Sequence, residues 1–207
     1  MTTKMIERIG ILAVAMTLAG CGVAVPAENQ SNAVAGTEWV VTEEPPPGDL
    51  PQTVSREPIG YTSLKPEDCR LIEENQEEAG YSRHRCNGVA GFALETSESD
   101  LRQDIVVIAP DGKRSELGLS GKVAKGAFNA LGPTAEWRGV DKGAPSALIV
   151  RLGVANGAEP NLPDTSNLVV VKLAAPACVV AVIPPGANQN DAARNTADNL
   201  PDSCFAA

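Results

Sequence analysis

Residues 167–183 read "NLVVVKLAAPACVVAVI", two apolar runs separated by Ala174-Ala175-Pro176-Ala177. Each run has the length of a strand and is crowded with β-branched side chains, and the small, proline-bearing break between them suits a tight reversal. The stretch therefore predicts an antiparallel hairpin of Leu168 to Leu173 and Cys178 to Ile183. Working outward, alternation between turn residues predicts seven more strands: Gly60 to Leu64, Arg70 to Glu74, Ser82 to Cys86, Phe92 to Thr96, Asp104 to Ala109, Ala135 to Val140 and Ser146 to Gly153. Pro110-Asp111-Gly112-Lys113 and Val140-Asp141-Lys142-Gly143 are the plainest turns between them. The expected fold class is mainly β, an antiparallel sandwich or barrel-like domain over residues 59–207. With only 3% aromatic residues, its core must be built from Val, Leu, Ile and Ala.

Two segments read as helical. "SGKVAKGAFNAL" (120–131) has a weak apolar stripe broken by glycine, enough for a turn or two. "NQNDAARNTADNL" (188–200) predicts a short C-terminal helix capped by Asn190 or Asp191, with Ala193, Ala197 and Leu200 on one side and Pro201 as its stop.

The chain before the domain has a different character. Lys4 and Arg8 precede an apolar stretch from Ile9 to Gly20. That stretch is shorter than the roughly 20 residues a membrane-spanning helix needs, so residues 1–20 read as an export signal. Residues 21–58 are rich in Pro, Gly, Ser, Thr and acids, cannot bury enough apolar surface to fold, and read as a flexible tether. Pro45-Pro46-Pro47 would stiffen it, and Trp39 within "EWVVT" is its one candidate anchor.

Leu18-Ala19-Gly20-Cys21 resembles the lipobox of bacterial lipoproteins. That resemblance implies cleavage before Cys21 and lipid on its sulfur and amine. With Gly22 rather than Asp next, it also implies sorting to the outer membrane of a two-membrane cell, facing the periplasm. The competing reading is an ordinary secretory signal cut near Ala24-Val25-Pro26-Ala27. Further on, "SLKPEDCRLI", "RCNG" and "AEWRG" resemble small exported proteins of proteobacteria, a likeness that carries no activity or ligand with it.

Export fits the cysteines. Cys69, Cys86, Cys178 and Cys204 remain after Cys21, an even number for an oxidising compartment. Of three possible pairings, Cys69 with Cys86 and Cys178 with Cys204 are favoured because each brackets a short segment that can fold back on itself. Zinc would need closer ligand spacing and more than the single His84, so neither a metal nor another cofactor is expected.

The formal charge of −9 becomes −10 once Lys4, Glu7 and Arg8 are removed, which argues against nucleic acid and leaves a cationic or other envelope partner open. No phosphate-binding loop, nucleophile elbow or metalloprotease helix is written in the sequence. His84, in "SRHRC", reads as a surface strand residue, and the acidic "EENQEEAG" as a solvated hairpin tip rather than a calcium loop. Asp100-Leu101-Arg102 and Glu136-Trp137-Arg138 are the two places where binding residues are expected: Trp137 and Arg138, with Arg102 as a third. The competing reading makes Trp137 a core plug and the charges exposed or cross-strand ion pairs. The leading functional expectation is a lipid-anchored, non-catalytic binding module of the cell envelope. The alternative is an envelope hydrolase using paired carboxylates, which a concave cleft with two facing acids would favour.

Overall fold

The computed structural model describes residues 56–77, 80–140, 143–157 and 163–205. The expected signal over residues 1–20, Cys21, Trp39 and nearly all of the expected tether lie outside these residues. No described helix is long and apolar enough to cross a membrane.

Among the described residues, ten strands make two antiparallel five-stranded sheets. The first sheet holds β1 (Gly60–Ser63), β7 (Asn129–Arg138), β8 (Ala147–Val154), β9 (Thr165–Lys172) and β10 (Cys178–Ile183), side by side in that order. The second is a plain meander of β2 (Arg70–Asn75), β3 (Tyr81–Asn87), β4 (Ala93–Ser99), β5 (Arg102–Ile108) and β6 (Arg114–Glu116). Because the sheets stay separate, the fold is a sandwich and not a closed barrel. All nine strands expected from the sequence are present. The tenth, β6, escaped because Arg114-Ser115-Glu116 carries no apolar residue whose period could announce it.

The run that opened the sequence reading explains the layering. Val169 and Val171 point into the core between the sheets, whereas Leu168 and Val170 pack on the opposite face with Ala147, Ile149, Val180, Ala193 and Ala197. A strand that is apolar at every position must be covered on both sides. Its second cover is α2 (Gln189–Asp198), lying on the first sheet's outer face. The second sheet contributes Cys86, Leu94, Ile105 and Val107 to the core from alternate positions and has a polar outer face.

Both expected disulfides form: Cys69–Cys86 across the start of the β2–β3 hairpin and Cys178–Cys204 from β10 to the segment beyond α2. The second draws the chain end along β10, where Phe205 N donates to Val179 O at 2.7 Å. Two helix details differ from expectation. The N-cap of α2 is Asn188, with no side-chain cap bond, and Gln189 instead ties the helix start to the sheet by donating to Ser166 O and Ile183 O. The other helix, α1 (Leu119–Lys122), is one turn long, and residues 129–131 already belong to β7. Its first N–H groups, Leu119 and Ser120, donate to the Asp104 carboxylate of β5.

Candidate binding surfaces

Alternation puts Trp137 on one face of β7 and Glu136 and Arg138 on the other, as the sequence implies. Trp137 is wholly buried between the sheets. Its indole N–H donates to Thr62 Oγ1 at 2.8 Å and its ring meets Phe92 with centroids 5.9 Å apart. A Cβ on Gly88 would sit 2.5 Å from Phe92 O and 2.9 Å from Trp137 Cζ2, so glycine there lets the backbone close on the Phe92 carbonyl and lie against the indole. The expectation that Trp137 offers a stacking face to a ligand is corrected: it is the core plug.

Arg138 is equally inaccessible. Its side chain is 1% exposed, beneath α2, where it donates from Nε and Nη2 to the two oxygens of Asp198 at 3.0 and 2.8 Å and from Nη1 to Glu136 Oε1 at 2.7 Å. Nη2 also meets the carbonyl of Arg56. Arg194 of α2 closes the network on Glu136 at 3.1 Å. Burial alone would push the Asp198 carboxyl up, but hydrogen bonds from Arg138 and the Arg56 N–H, with the charges of both arginines, hold it below the ordinary carboxylate range. Arg138 is thus a clasp between helix and sheet. An acid 60 residues away supplies half of it, which no local pattern could reveal.

Arg102 is the member of the expected trio that lies at the surface. It follows the β4–β5 turn, where Asp100 and Leu101 both take left-handed backbone, φ 49° and 57°. The guanidinium donates from Nε to Gly126 O at 2.8 Å, pairs with Asp100, and lies 4.8 Å over the ring of Phe128. Such a stack is worth about 0.5–1 kcal/mol at an exposed site. Phe128 is 46% and Leu101 61% exposed. Their backbones are nonetheless fixed, since Asn129 N donates to Leu101 O and Ala155 N to Phe128 O. Leu101, Phe128, Glu98 and Asp164 border one shallow depression of about 240 Å³. Glu98 accepts from Gln103 Nε2 at 2.6 Å, and Asp164 is exposed.

His84 is not the surface residue that "SRHRC" suggests. It is half-buried and lines a cavity of mixed character, about 170 Å³, with Ser82, Thr96, Glu98 and Gln103 on one side and Leu64, Leu131 and Pro133 on the other, while Arg83 and Arg85 on the opposite face of β3 pair with Glu73 and Glu95. A larger, more apolar cleft of about 400 Å³ opens where the β9–β10 turn meets β5 and β6, lined in part by Phe92, Val107, Leu173 and Pro176. Its polar groups are already engaged: Lys113 with Asp111, Arg114 with Glu95, and Ser115 Oγ accepting from Ala177 N. Recognition there would rest on shape. Among the described residues no cluster of His, Cys, Asp and Glu is arranged to hold a metal ion.

Compared with protein-family models, characterised proteins and solved structures, the chain finds no match.

Proposed function

We propose that this protein is a non-catalytic interaction module of the bacterial envelope, lipid-anchored through Cys21 and exposed to the periplasm, that engages a cationic envelope protein with the end of the domain built by Leu101, Arg102 and Phe128. The observation that carries this is Leu101. A turn with positive φ is made at least cost by Gly or Asn, and other residues there cost of order 1 kcal/mol. Here the turn holds an aliphatic side chain out in solvent, 61% exposed, next to a half-exposed phenyl ring. The exposed leucine does nothing for the fold, and the ring gives it only the stack with Arg102. Strain and apolar exposure in one place are the marks of a contact surface. Glu98 and Asp164 on the same depression, in a chain of net charge −9, favour a partner that pairs positive charge with an apolar anchor.

The test uses a photo-crosslinking amino acid at position 128 of the full chain in living cells, with position 199, exposed beyond α2, as the control. The expected result is one discrete adduct from position 128 and none from 199, weakened by salt. No adduct, or equal adducts from both, overturns the contact surface. The anchor is tested separately: Cys21→Ser should leave the membrane fraction, and a variant that stays there as firmly as the parent refutes lipidation.

A further inference from the structure

A second place on the molecule carries an unbalanced charge. Between the outer face of the first sheet and the N-terminal half of α2 lies a cleft of about 150 Å³, bordered by Tyr61, Thr134, Glu136, Arg151, Asn190 and Arg194. Arg151 stands on β8 opposite Leu168, two residues past Ile149, so its stem leaves the face that α2 covers. Room for that stem comes from Gly132, whose Cβ would fall 2.7 Å from Arg151 Cβ.

What distinguishes Arg151 is its company. Nη1 donates to Ser166 Oγ at 2.8 Å and Gln189 Oε1 at 3.1 Å, and Nη2 touches Asn190 Oδ1 at 3.5 Å. All three acceptors are neutral. Among the described residues no carboxylate pairs with its guanidinium, unlike those of Arg83, Arg85, Arg102, Arg114, Arg138 and Arg194; Arg56 and Arg70 share this, but both are exposed and neither borders the cleft. Its Nε–H and one Nη2–H have no described protein acceptor, and these two form the side-on edge of a guanidinium that grips an oxyanion through two parallel bonds. The neutral acceptors fix the plane of the guanidinium in advance, which lowers the entropy lost on binding.

The surroundings reinforce the sign. Of the charged residues that border the cleft, Arg151 and Arg194 outnumber Glu136, an excess of one positive charge in a chain whose total is −9. Asp191, the acid in the first turn of α2, is exposed and makes no described ion pair. Arg194 spends Nε and Nη2 on Glu136 and Tyr61, and none of the described bonds uses its Nη1. The two guanidinium groups, the Asn190 amide and the Tyr61 hydroxyl thus border a space large enough for one small oxyanion.

We infer that this cleft binds an oxyanion, the carboxylate or phosphate of a small ligand or of a chain end, with Arg151 as its bidentate anchor and Arg194, Asn190 and Tyr61 as its secondary donors. The site lies on the helix-covered face and is independent of the Leu101–Phe128 surface, so either can fail without the other.

The experiment follows the arginine Nε–H resonances of the oxidised, folded protein by NMR while acetate or inorganic phosphate is titrated at constant ionic strength. The Arg151 signal should move saturably and that of Arg102, already stacked and paired, should stay. The anion with the lower half-saturation point identifies the ligand group. Arg151→Gln should raise the half-saturation concentration read at Arg194 about tenfold or more, the loss expected for a hydrogen-bonded charge pair. Should that variant fold poorly, Asn190→Asp places a carboxylate beside Arg151 and should abolish binding with the sheet and helix intact. Signals that never saturate with either anion, or binding unchanged by Asn190→Asp, overturn the site.

Discussion

Trp137 with Arg138 and Phe128 with Arg102 are two versions of one arrangement, an aromatic ring on β7 or just before it and a guanidinium close by. In the first, the ring is sealed between the sheets and the guanidinium is held by two carboxylates under α2. In the second, the guanidinium lies over the ring itself, half in solvent, with one exposed acid as its partner. The same side chains hold the fold together in one place and offer a surface in the other, and what separates them is cover: the second sheet lies over Trp137 and α2 over Arg138, whereas Phe128 stays exposed and Arg102 only half-covered. An aromatic residue beside an arginine is therefore not by itself a binding signature; its layer decides.

That contrast is most readily broken at its buried end. Trp137→Ala should cost about 3–5 kcal/mol, because the cavity it leaves cannot collapse between two sheets. Arg138→Ala should cost a similar amount, about 3–5 kcal/mol, by stranding the buried Asp198 without its cation, while Glu136 keeps Arg194. Denaturant melts measure both. If either lost less than about 1 kcal/mol, an ordinary surface value, the buried clasp would be refuted. Next in size, removing the Cys178–Cys204 bridge as a double Ser variant should cost about 3 kcal/mol by the loop-closure argument, with the chain end and α2 loosening first in hydrogen exchange.

Acid sharpens the comparison. Asp198 and Glu95 both titrate below their ordinary values, Glu95 chiefly through its hydrogen bond from Arg114, Asp198 because its bonds from Arg138 and Arg56 outweigh burial. A carboxylate depressed in the folded state adds stability above its unfolded pKa, and loses it as pH falls through the folded one. Stability should thus be flat above about pH 5 and decline below about pH 4, the unfolded range of Asp and Glu. Asp198→Asn should be less stable at neutral pH and show a shallower acid decline; an unchanged decline would mean the clasp carries no charge-linked stability. The smallest effects belong to the exposed pair. Phe128→Ser should cost about 0.5–1 kcal/mol, the worth of its stack under Arg102. Leu101→Gly should stabilise by up to about 1 kcal/mol, since glycine takes the left-handed turn without strain.

Much of this was legible locally. The β9–β10 hairpin and the other strands apart from β6 follow from patterns within a few residues of each other, and both disulfide pairings from cysteines only 17 and 26 positions apart. An apolar run such as Leu168 to Val171 even announces a sheet covered on two sides. The candidate surfaces were less legible because they are assembled across the chain. Arg102 and the Asp100–Leu101 turn could be singled out, but Phe128 was hidden in a segment that reads as a weak helix, and it reaches Arg102 only through Asn129 bonding back to Leu101. Arg138 looked like a surface residue because Asp198 lies 60 positions on. Arg151 gave no signal at all, since what marks it is the absence of a described acid among its partners, and partners are a property of the fold.

That the exposed pair serves contact and the buried pair serves stability is tested by melting temperature and crosslinked adduct measured side by side on the Leu101→Gly, Phe128→Ser double variant. The expected result is a melting temperature close to that of the parent, the turn's gain offsetting the lost stack, with the adduct from a crosslinker placed at the neighbouring exposed Ala130 gone. A variant that keeps the adduct in full would contradict the account, as would one that loses it only by unfolding.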